Sequence, residues 1–150
     1  MIEIKLTDEQ YENLIKLIYL GTWMIGGIRA RDNLIEKYED LAQCIYSNAK
    51  EDIREKYFEF DEETKRYIPK KEFEEDPELD EIIDDYNEEV FWNELIFRLA
   101  GRDLLRIYGE DAIRNMSIEE RAEKEYPLLQ MYEEEVIKNG IKNLEIRRTN

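Results

Sequence analysis

The sequence predicts an α+β fold that is mostly α, with about five helices around a central hydrophobic helix and a small sheet that pairs the N- and C-terminal strands. Apolar residues recur at spacings of three and four through most of the chain, which is typical of amphipathic helices. Short alternating segments at the two ends indicate strands. With 150 residues, 42% of them hydrophobic, the chain can bury a core, and we expect residues 1–150 to form a single globular domain.

The first strand and the first helix follow from local signals. The segment MIEIKL, residues 1–6, alternates apolar and charged residues and predicts a half-buried strand. Thr7 and Gln10 have the spacing of a capping box, so a helix is expected from Asp8. The apolar run Leu14–Ile28 is shorter than the roughly 20 residues that cross a bilayer, and it predicts the buried central helix.

The middle of the chain predicts a second helix and a hairpin. Residues 33–49 carry apolar side chains at helical spacing and predict a helix that forms an αα-hairpin with the first. Residues 57–68 alternate around a polar turn and predict a short β-hairpin, whose second arm Pro69 confines to an edge or a strand end. Pro77 is suited to the first turn of the next helix.

The helical pattern that follows Pro77 is long and leaves two arrangements open. The apolar spacing from Leu79 continues beyond Asn87, so either one helix bends at Asn87 or two helices meet there. A further helical segment is punctuated by Gly101 and Gly109.

The last helix and the last strand are predicted from capping signals and alternation. Ser117 and Glu120 form a second capping-box sequence, and Gly140 is placed to end the helix that they begin. Pro127 predicts a kink or a break within it. Alternation in residues 141–146 predicts the C-terminal strand, which would pair with the N-terminal one.

The absence of histidine restricts the chemistry of this chain. A Ser-His-Asp triad, a Cys-His pair and a His-ligated metal site all need imidazole. Cys44 is the one cysteine, so a cysteine-rich zinc site is excluded as well, and we expect Cys44 to be a small buried side chain. No catalytic residue is predicted.

The net charge of −16 restricts the partners. It repels phosphate backbones and anionic lipid surfaces, so we expect no direct nucleic-acid binding and no membrane binding. The N-terminal residues MIEIKLTDEQ lack the features of a secretion signal, which favours a cytoplasmic location. The abundance of Lys and Glu is also typical of thermophilic proteins.

The segment from Glu72 to Glu89 holds eleven carboxylates and no Lys or Arg. In helical register, its later carboxylates lie opposite the apolar stripe, and several repeat at i,i+4, where like charges destabilise a helix by about 0.2–0.5 kcal/mol a pair. The candidate binding residues of this acidic face are Asp80, Glu81, Asp84, Asp85, Glu88 and Glu89. Cations elsewhere in the chain, a divalent metal ion or a basic partner protein would each offset this repulsion.

Arginines recur every four residues on the following helical segment, at Arg98, Arg102 and Arg106. The first interpretation is that they form salt bridges with the abundant carboxylates, including those of a neighbouring element. The second is an anion contact, because guanidinium groups bind phosphates and carboxylates through two parallel hydrogen bonds.

Two pairs of carboxylates suggest an enzymatic alternative. The spacings of Glu36 with Glu39 and of Glu81 with Asp84 resemble the E-x-x-E and E-x-x-D pairs of helical nucleotide pyrophosphatases. The resemblance implies a phosphohydrolase that uses Mg²⁺ or Mn²⁺ held by these four carboxylates. Composition alone predicts roughly nine such pairs in a chain this acidic, so the spacing identifies no site by itself.

The sequence therefore favours an acidic, cytoplasmic, non-enzymatic module for protein interaction or regulation, without a cofactor. Its expected partner is a protein with a basic surface, or a second copy of the chain. The alternative is the divalent-metal-dependent phosphohydrolase.

Overall fold

The computed structural model describes residues 3–28 and 35–145, and within them it confirms an α+β fold that is mostly α. These residues form seven helices and one two-stranded antiparallel sheet. In chain order the elements are α1 (Asp8–Gly26), α2 (Glu36–Ser47), α3 (Glu51–Tyr57), β1 (Phe58–Asp61), β2 (Arg66–Pro69), α4 (Lys71–Glu74), α5 (Pro77–Tyr108), α6 (Glu110–Asn115) and α7 (Ile118–Asn139).

The chain forms two compact units, Met1–Asp84 and Asp85–Asn150. Helix α5 contributes its first turns to the first unit and the rest of its length to the second. The expectation of a single domain over residues 1–150 stays a prediction.

The core of the first unit is built from α1, α2, α3, the start of β1, α4 and the start of α5. Rings contact one another at its centre: Tyr46 stacks on Phe58 with centroids 4.2 Å apart, and Tyr57 lies 4.8 Å from Phe73. Aromatic pairs at these distances add to the stabilisation from buried area. The buried cluster consists of Ile15, Ala42, Tyr46, Ala49, Ile53, Tyr57, Phe58, Phe73 and Leu79.

Helix α1 begins as predicted but is less buried than predicted. The Thr7 hydroxyl accepts a hydrogen bond from the Gln10 amide at 3.2 Å, and the Gln10 side chain accepts one from the Thr7 amide at 2.9 Å. Ile15 is fully buried, whereas the side chains of Leu17 and Met24 are 66% and 50% exposed. The helix therefore presents one face to the core, since α1 is covered mainly on the side that meets α2 and the aromatic cluster.

The predicted pairing of terminal strands is wrong for the described residues. Residues 3–7 have no regular structure, and Ile4 is 74% exposed. Residues 141–143 form a turn, residues 144 and 145 are not in a strand, and residues 1–2 and 146–150 lie outside the described part. A few alternating residues form a strand only when another strand supplies the hydrogen-bonding ladder, and no such partner is present in the described ranges.

The predicted hairpin is confirmed and supplies the sheet. Phe58 pairs with Pro69 and Asp61 with Arg66, which leaves a four-residue loop. The Asp61 carboxylate accepts hydrogen bonds from the amides of Glu63 and Thr64 at 3.2 and 3.1 Å, and this arrangement fixes the turn.

The β2 strand is held by a side chain of α2. The Gln43 amide group donates to the Tyr67 carbonyl at 2.9 Å and accepts from the Tyr67 amide at 2.8 Å. Gln43 thus satisfies the two main-chain groups of Tyr67 as a neighbouring strand would.

The second unit contains the larger part of α5 together with α6 and α7, and its helices run through three predicted points of interruption. Helix α5 is continuous through Asn87 and Gly101, and α7 is continuous through Pro127. The helix ends predicted at Gly109 and Gly140 are confirmed, and both glycines have positive φ angles, 77° and 57°.

Only Ala100 and Leu104 are fully buried among the described hydrophobic residues of the second unit. None of the helices in residues 3–28 and 35–145 combines the length and the apolar composition that crossing a bilayer requires.

Candidate functional site

The acidic face lies on consecutive turns of α5 and is exposed at all six positions, from Asp80 to Glu89. No carboxylate of the face forms an ion pair with a described residue of the unit to which that carboxylate belongs. Glu88 accepts a hydrogen bond from the Trp92 indole at 2.6 Å, and Glu89 accepts one from the Asn93 side chain at 2.8 Å. Because both donors are neutral, the negative charge of the face is not compensated locally.

Two carboxylates that precede the acidic face share one cation. Lys16 of α1 forms ion pairs with Glu78 and, at 3.3 Å, with Asp76. Asp76 also accepts a hydrogen bond from the Glu78 amide at 2.9 Å, so it caps the N-terminus of α5. The start of α5 is therefore linked to α1 by ion pairs.

The apolar stripe on the opposite side of α5 is also largely exposed. Helical spacing of apolar residues predicts a face that packs on the core, and Leu79, with 1% of its surface exposed, does so, while Ile83 is half-buried. Ile82, Tyr86 and Val90 are 46%, 45% and 39% exposed and lie at successive i,i+4 positions of α5. The middle of α5 thus presents both an acidic side and an apolar side to solvent.

The arginine stripe is paired, and its carboxylate partners lie on α5 itself. Arg98 forms an ion pair with Glu94 at 3.0 Å, while Arg102 and Arg106 bond to the same carboxylate of Asp103 at 2.8 and 3.1 Å. The first predicted interpretation, salt bridging, describes these contacts, although no carboxylate of a neighbouring element takes part in them. A cavity of about 510 Å³ beside Arg102 and Arg106 keeps the anion contact open as a prediction.

Asp103 occupies the centre of this arginine cluster. It accepts a hydrogen bond from the Tyr132 hydroxyl of α7 in addition to those from the two arginines. The Arg102 guanidinium, followed by the Tyr132 hydroxyl, holds the pKa of Asp103 well below its usual range. Arg102 also bonds to the Tyr132 oxygen at 3.0 Å, so its donors are largely engaged within the second unit.

The four carboxylates proposed as metal ligands are not assembled into a group. Glu36 and Glu39 lie on α2, whereas Glu81 and Asp84 lie on α5. In the described part of the chain, no three Cys, Asp or Glu side chains come close enough together to hold a metal ion. The Mg²⁺ or Mn²⁺ site stays a prediction from residue spacing alone.

A groove of about 780 Å³ lies in the first unit between α1, α2, β2 and α4. Four aromatic side chains line it, namely Tyr19, Trp23, Tyr46 and Tyr67, and we call it the aromatic groove. Trp23 belongs to the run Leu14–Ile28, which is predicted to be buried, but it is half-buried and lines the groove. The lining residues come from separate elements, so no spacing in the sequence reveals the groove.

Carboxylates surround the aromatic groove and affect its tyrosines. Burial raises the pKa of Tyr46 to about 12, and the nearby charge of Glu39 adds to this effect. Burial also raises the pKa of Tyr19, with a further contribution from Glu74. Burial is the main cause of both shifts, and the neighbouring carboxylates add to it because negative charge disfavours the phenolate.

The cation that lines the aromatic groove is already engaged. Arg66 forms an ion pair with Asp40 at 3.5 Å, and the described lining also includes four acidic residues, namely Glu39, Asp61, Glu63 and Glu74. The groove is therefore both aromatic and acidic.

Cys44, which was expected to be buried, is exposed. It lies on α2, and the neighbouring stripe position Leu41 is also 51% exposed. The helical stripe that the sequence assigned to the core is therefore only partly covered.

Comparison of this chain with protein-family models, with curated proteins and with solved structures finds no match.

Proposed function

We propose that this chain is a non-enzymatic interaction module whose acidic face on α5 binds a protein with a basic surface. The observation that carries this proposal is the exposed row of six carboxylates, which form no ion pair with described residues of their own units, on a helix whose opposite, apolar side is also exposed at Ile82, Tyr86 and Val90. An interface needs both features, since apolar contact supplies affinity while charge supplies orientation and specificity.

The partner surface that fits this helix is basic and partly apolar. Lys or Arg side chains would lie along the acidic face, and a partner that extends around α5 would also cover the apolar stripe on its other side. Binding would also relieve the repulsion between carboxylates at i,i+4, which destabilises the free helix. The same charge would accelerate association at low ionic strength.

Self-association is the other partnership that the exposed stripe allows. Two copies that meet through this stripe would leave both acidic faces on the outside of the dimer without a counter-charge, because the carboxylates lie on the opposite side of α5. A basic partner therefore fits the charge better than a second copy does. No contact in the described residues favours the phosphohydrolase alternative, and the proposal keeps the cytoplasmic location expected from the sequence.

The test uses a defined probe, a synthetic amphipathic helix with Lys on one side and Leu on the other. Calorimetric titration would compare the wild type with an Asp84→Asn/Asp85→Asn variant of the acidic face. The control is Glu3→Gln/Glu133→Gln, which removes the same charge from two exposed sites.

We expect the acidic-face variant to weaken binding by about five- to tenfold at low salt and the control to change it less than twofold, because only the former removes charge from the docking surface. Equal weakening in both variants would mean that the peptide responds to net charge alone, and the α5 site would then be rejected.

A further inference from the structure

We propose that the aromatic groove of the first unit is a second docking site, which takes a Lys or Arg side chain from a basic peptide segment of the partner. This inference rests on the proposed function, because it assumes a basic partner. It adds a separate surface, since Tyr19, Trp23, Tyr46 and Tyr67 lie on α1, α2 and β2, not on the acidic face.

The aromatic lining suits a cation. The electron-rich faces of Tyr and Trp attract ammonium and guanidinium groups, and the attraction strengthens when the cation leaves water. Tyr67, one of the lining residues, already makes a contact of this kind elsewhere, since the Arg54 guanidinium lies 5.5 Å from the centre of its ring. The half-buried side chains of Tyr19 and Trp23 provide aromatic surface that is partly shielded from solvent.

The negative charge of the groove also favours the binding of a cation. Glu39 is half-buried, and no described residue of the first unit forms an ion pair with it. A carboxylate that is partly withdrawn from water without a counter-charge favours the approach of a positive group. Arg66 does not fill this role, because it is engaged with Asp40.

The dimensions and the main-chain contacts indicate how the peptide would bind. A volume of about 780 Å³ is larger than one side chain and matches a segment of a few residues. The peptide would not add as a third strand at Tyr67, because the Gln43 side chain already occupies the amide and the carbonyl of that residue. Recognition would therefore depend on the side chain in the groove.

The two tryptophans allow the two surfaces to be tested separately. Trp23 lines the aromatic groove, whereas the Trp92 indole donates to Glu88 of the acidic face. A Trp92→Phe variant leaves Trp23 as the fluorescent reporter of the groove, and a Trp23→Phe variant leaves Trp92 as the reporter of α5. Circular dichroism would establish that both variants keep the helical content of the wild type.

The groove probe is a blocked Ala-Arg-Lys-Ala peptide, with blocked Ala-Gln-Gln-Ala as its neutral control. We expect the basic peptide to produce a saturable change in Trp23 fluorescence and the neutral peptide to produce none. Glu39→Gln should weaken binding at least fivefold, whereas Glu133→Gln, outside the groove, should leave it unchanged.

The outcomes separate the two proposals. If the amphipathic helix alters Trp92 fluorescence and the short basic peptide leaves Trp23 fluorescence unchanged, the groove inference is overturned while the acidic-face function stands. If the short basic peptide alters Trp23 and the helix leaves Trp92 unchanged, the groove stands and the acidic-face proposal fails. If neither Trp23 nor Trp92 fluorescence changes, both the groove inference and the acidic-face proposal are overturned.

A last variant tests whether the chain fills its own groove. Arg29 and Arg31 lie outside the described residues and are cations close in sequence to the groove-lining Gly26 and Gly27. The Arg29→Gln/Arg31→Gln variant would be measured without and with the basic peptide. If the substitutions change Trp23 fluorescence in the absence of peptide and also tighten peptide binding, the occupant is this segment, and the partner assignment is overturned.

Discussion

Removing charge from the acidic face should stabilise the free protein. Asp84 has acidic neighbours at both i−4 and i+4, and so does Asp85, and these residues form no ion pair with a described residue of their own units. The Asp84→Asn/Asp85→Asn variant replaces two charges by amides of similar size and similar helix propensity. Repulsion between carboxylates is then the main quantity that changes.

The size of the effect follows from the number of like-charged pairs. The double variant removes four i,i+4 pairs, those of Asp84 with Asp80 and Glu88 and those of Asp85 with Glu81 and Glu89. At about 0.2–0.5 kcal/mol a pair, the free energy of unfolding should rise by about 1–2 kcal/mol at low ionic strength. The rise should largely disappear in about 1 M NaCl, where the Debye length is about 3 Å.

Urea unfolding followed by circular dichroism at low and high salt would measure this change. The Glu3→Gln/Glu133→Gln control alters the net charge equally, but neither glutamate has an acidic neighbour three or four residues away, so its free energy should change by less than about 0.5 kcal/mol. A destabilisation above about 1 kcal/mol in the acidic-face variant would refute the reasoning, because it would show that these carboxylates are paired within the protein.

Three further predictions concern single sites. Gly101→Ala should stabilise the protein by about 1 kcal/mol, because the added methyl group meets nothing within 4 Å in the helix. Gly109→Ala should destabilise it by about 1 kcal/mol, because the backbone there has a φ of 77°; urea unfolding would measure both changes. Gln43→Leu should destabilise by about 1–3 kcal/mol, because two partly buried main-chain groups lose their partner; a change within error in the same assay would contradict this. Arg102 depresses the pKa of Asp103, so the stabilisation from the Asp103 carboxylate should be present above the unfolded value of about 3.9 and be lost as pH falls below it. Wild type and Asp103→Asn should therefore converge in stability towards acid pH, and a difference independent of pH would oppose this assignment.

Local signals in the sequence were sufficient for much of the fold. The capping residues Thr7 and Ser117 predict where α1 and α7 begin, because a cap is a hydrogen bond between residues three apart. The hairpin around Asp61 is predicted for the same reason, since its turn depends on neighbouring amides. Such features need no information about the rest of the chain.

Helices α5 and α7 continue through predicted interruptions because a single Gly or Pro destabilises a long helix without ending it. Gly101 destabilises a helix by about 1 kcal/mol relative to Ala, which a helix of 32 residues tolerates when its side chains are otherwise suited. Pro127 removes one main-chain hydrogen bond, yet α7 continues on both sides of it. Alternation around Ile4 failed for the opposite reason, because a strand depends on a distant partner.

The candidate sites were only partly accessible from the sequence. Periodicity placed the acidic residues from Asp80 to Glu89 on one side of α5, but it also assigned Ile82, Tyr86 and Val90 to the core. Periodicity shows which side chains share a face and does not show whether anything covers that face. The aromatic groove depends on residues from four elements, so tertiary structure alone reveals it.

The contact between Gln43 and Tyr67 has a consequence for the behaviour of the protein at high concentration. An unpaired strand edge can pair with a strand of another chain. The side-chain amide of Gln43 occupies that edge at Tyr67 with a group that cannot be extended into a ladder. We therefore expect the residue that secures β2 within one molecule also to oppose the pairing of β2 with other chains.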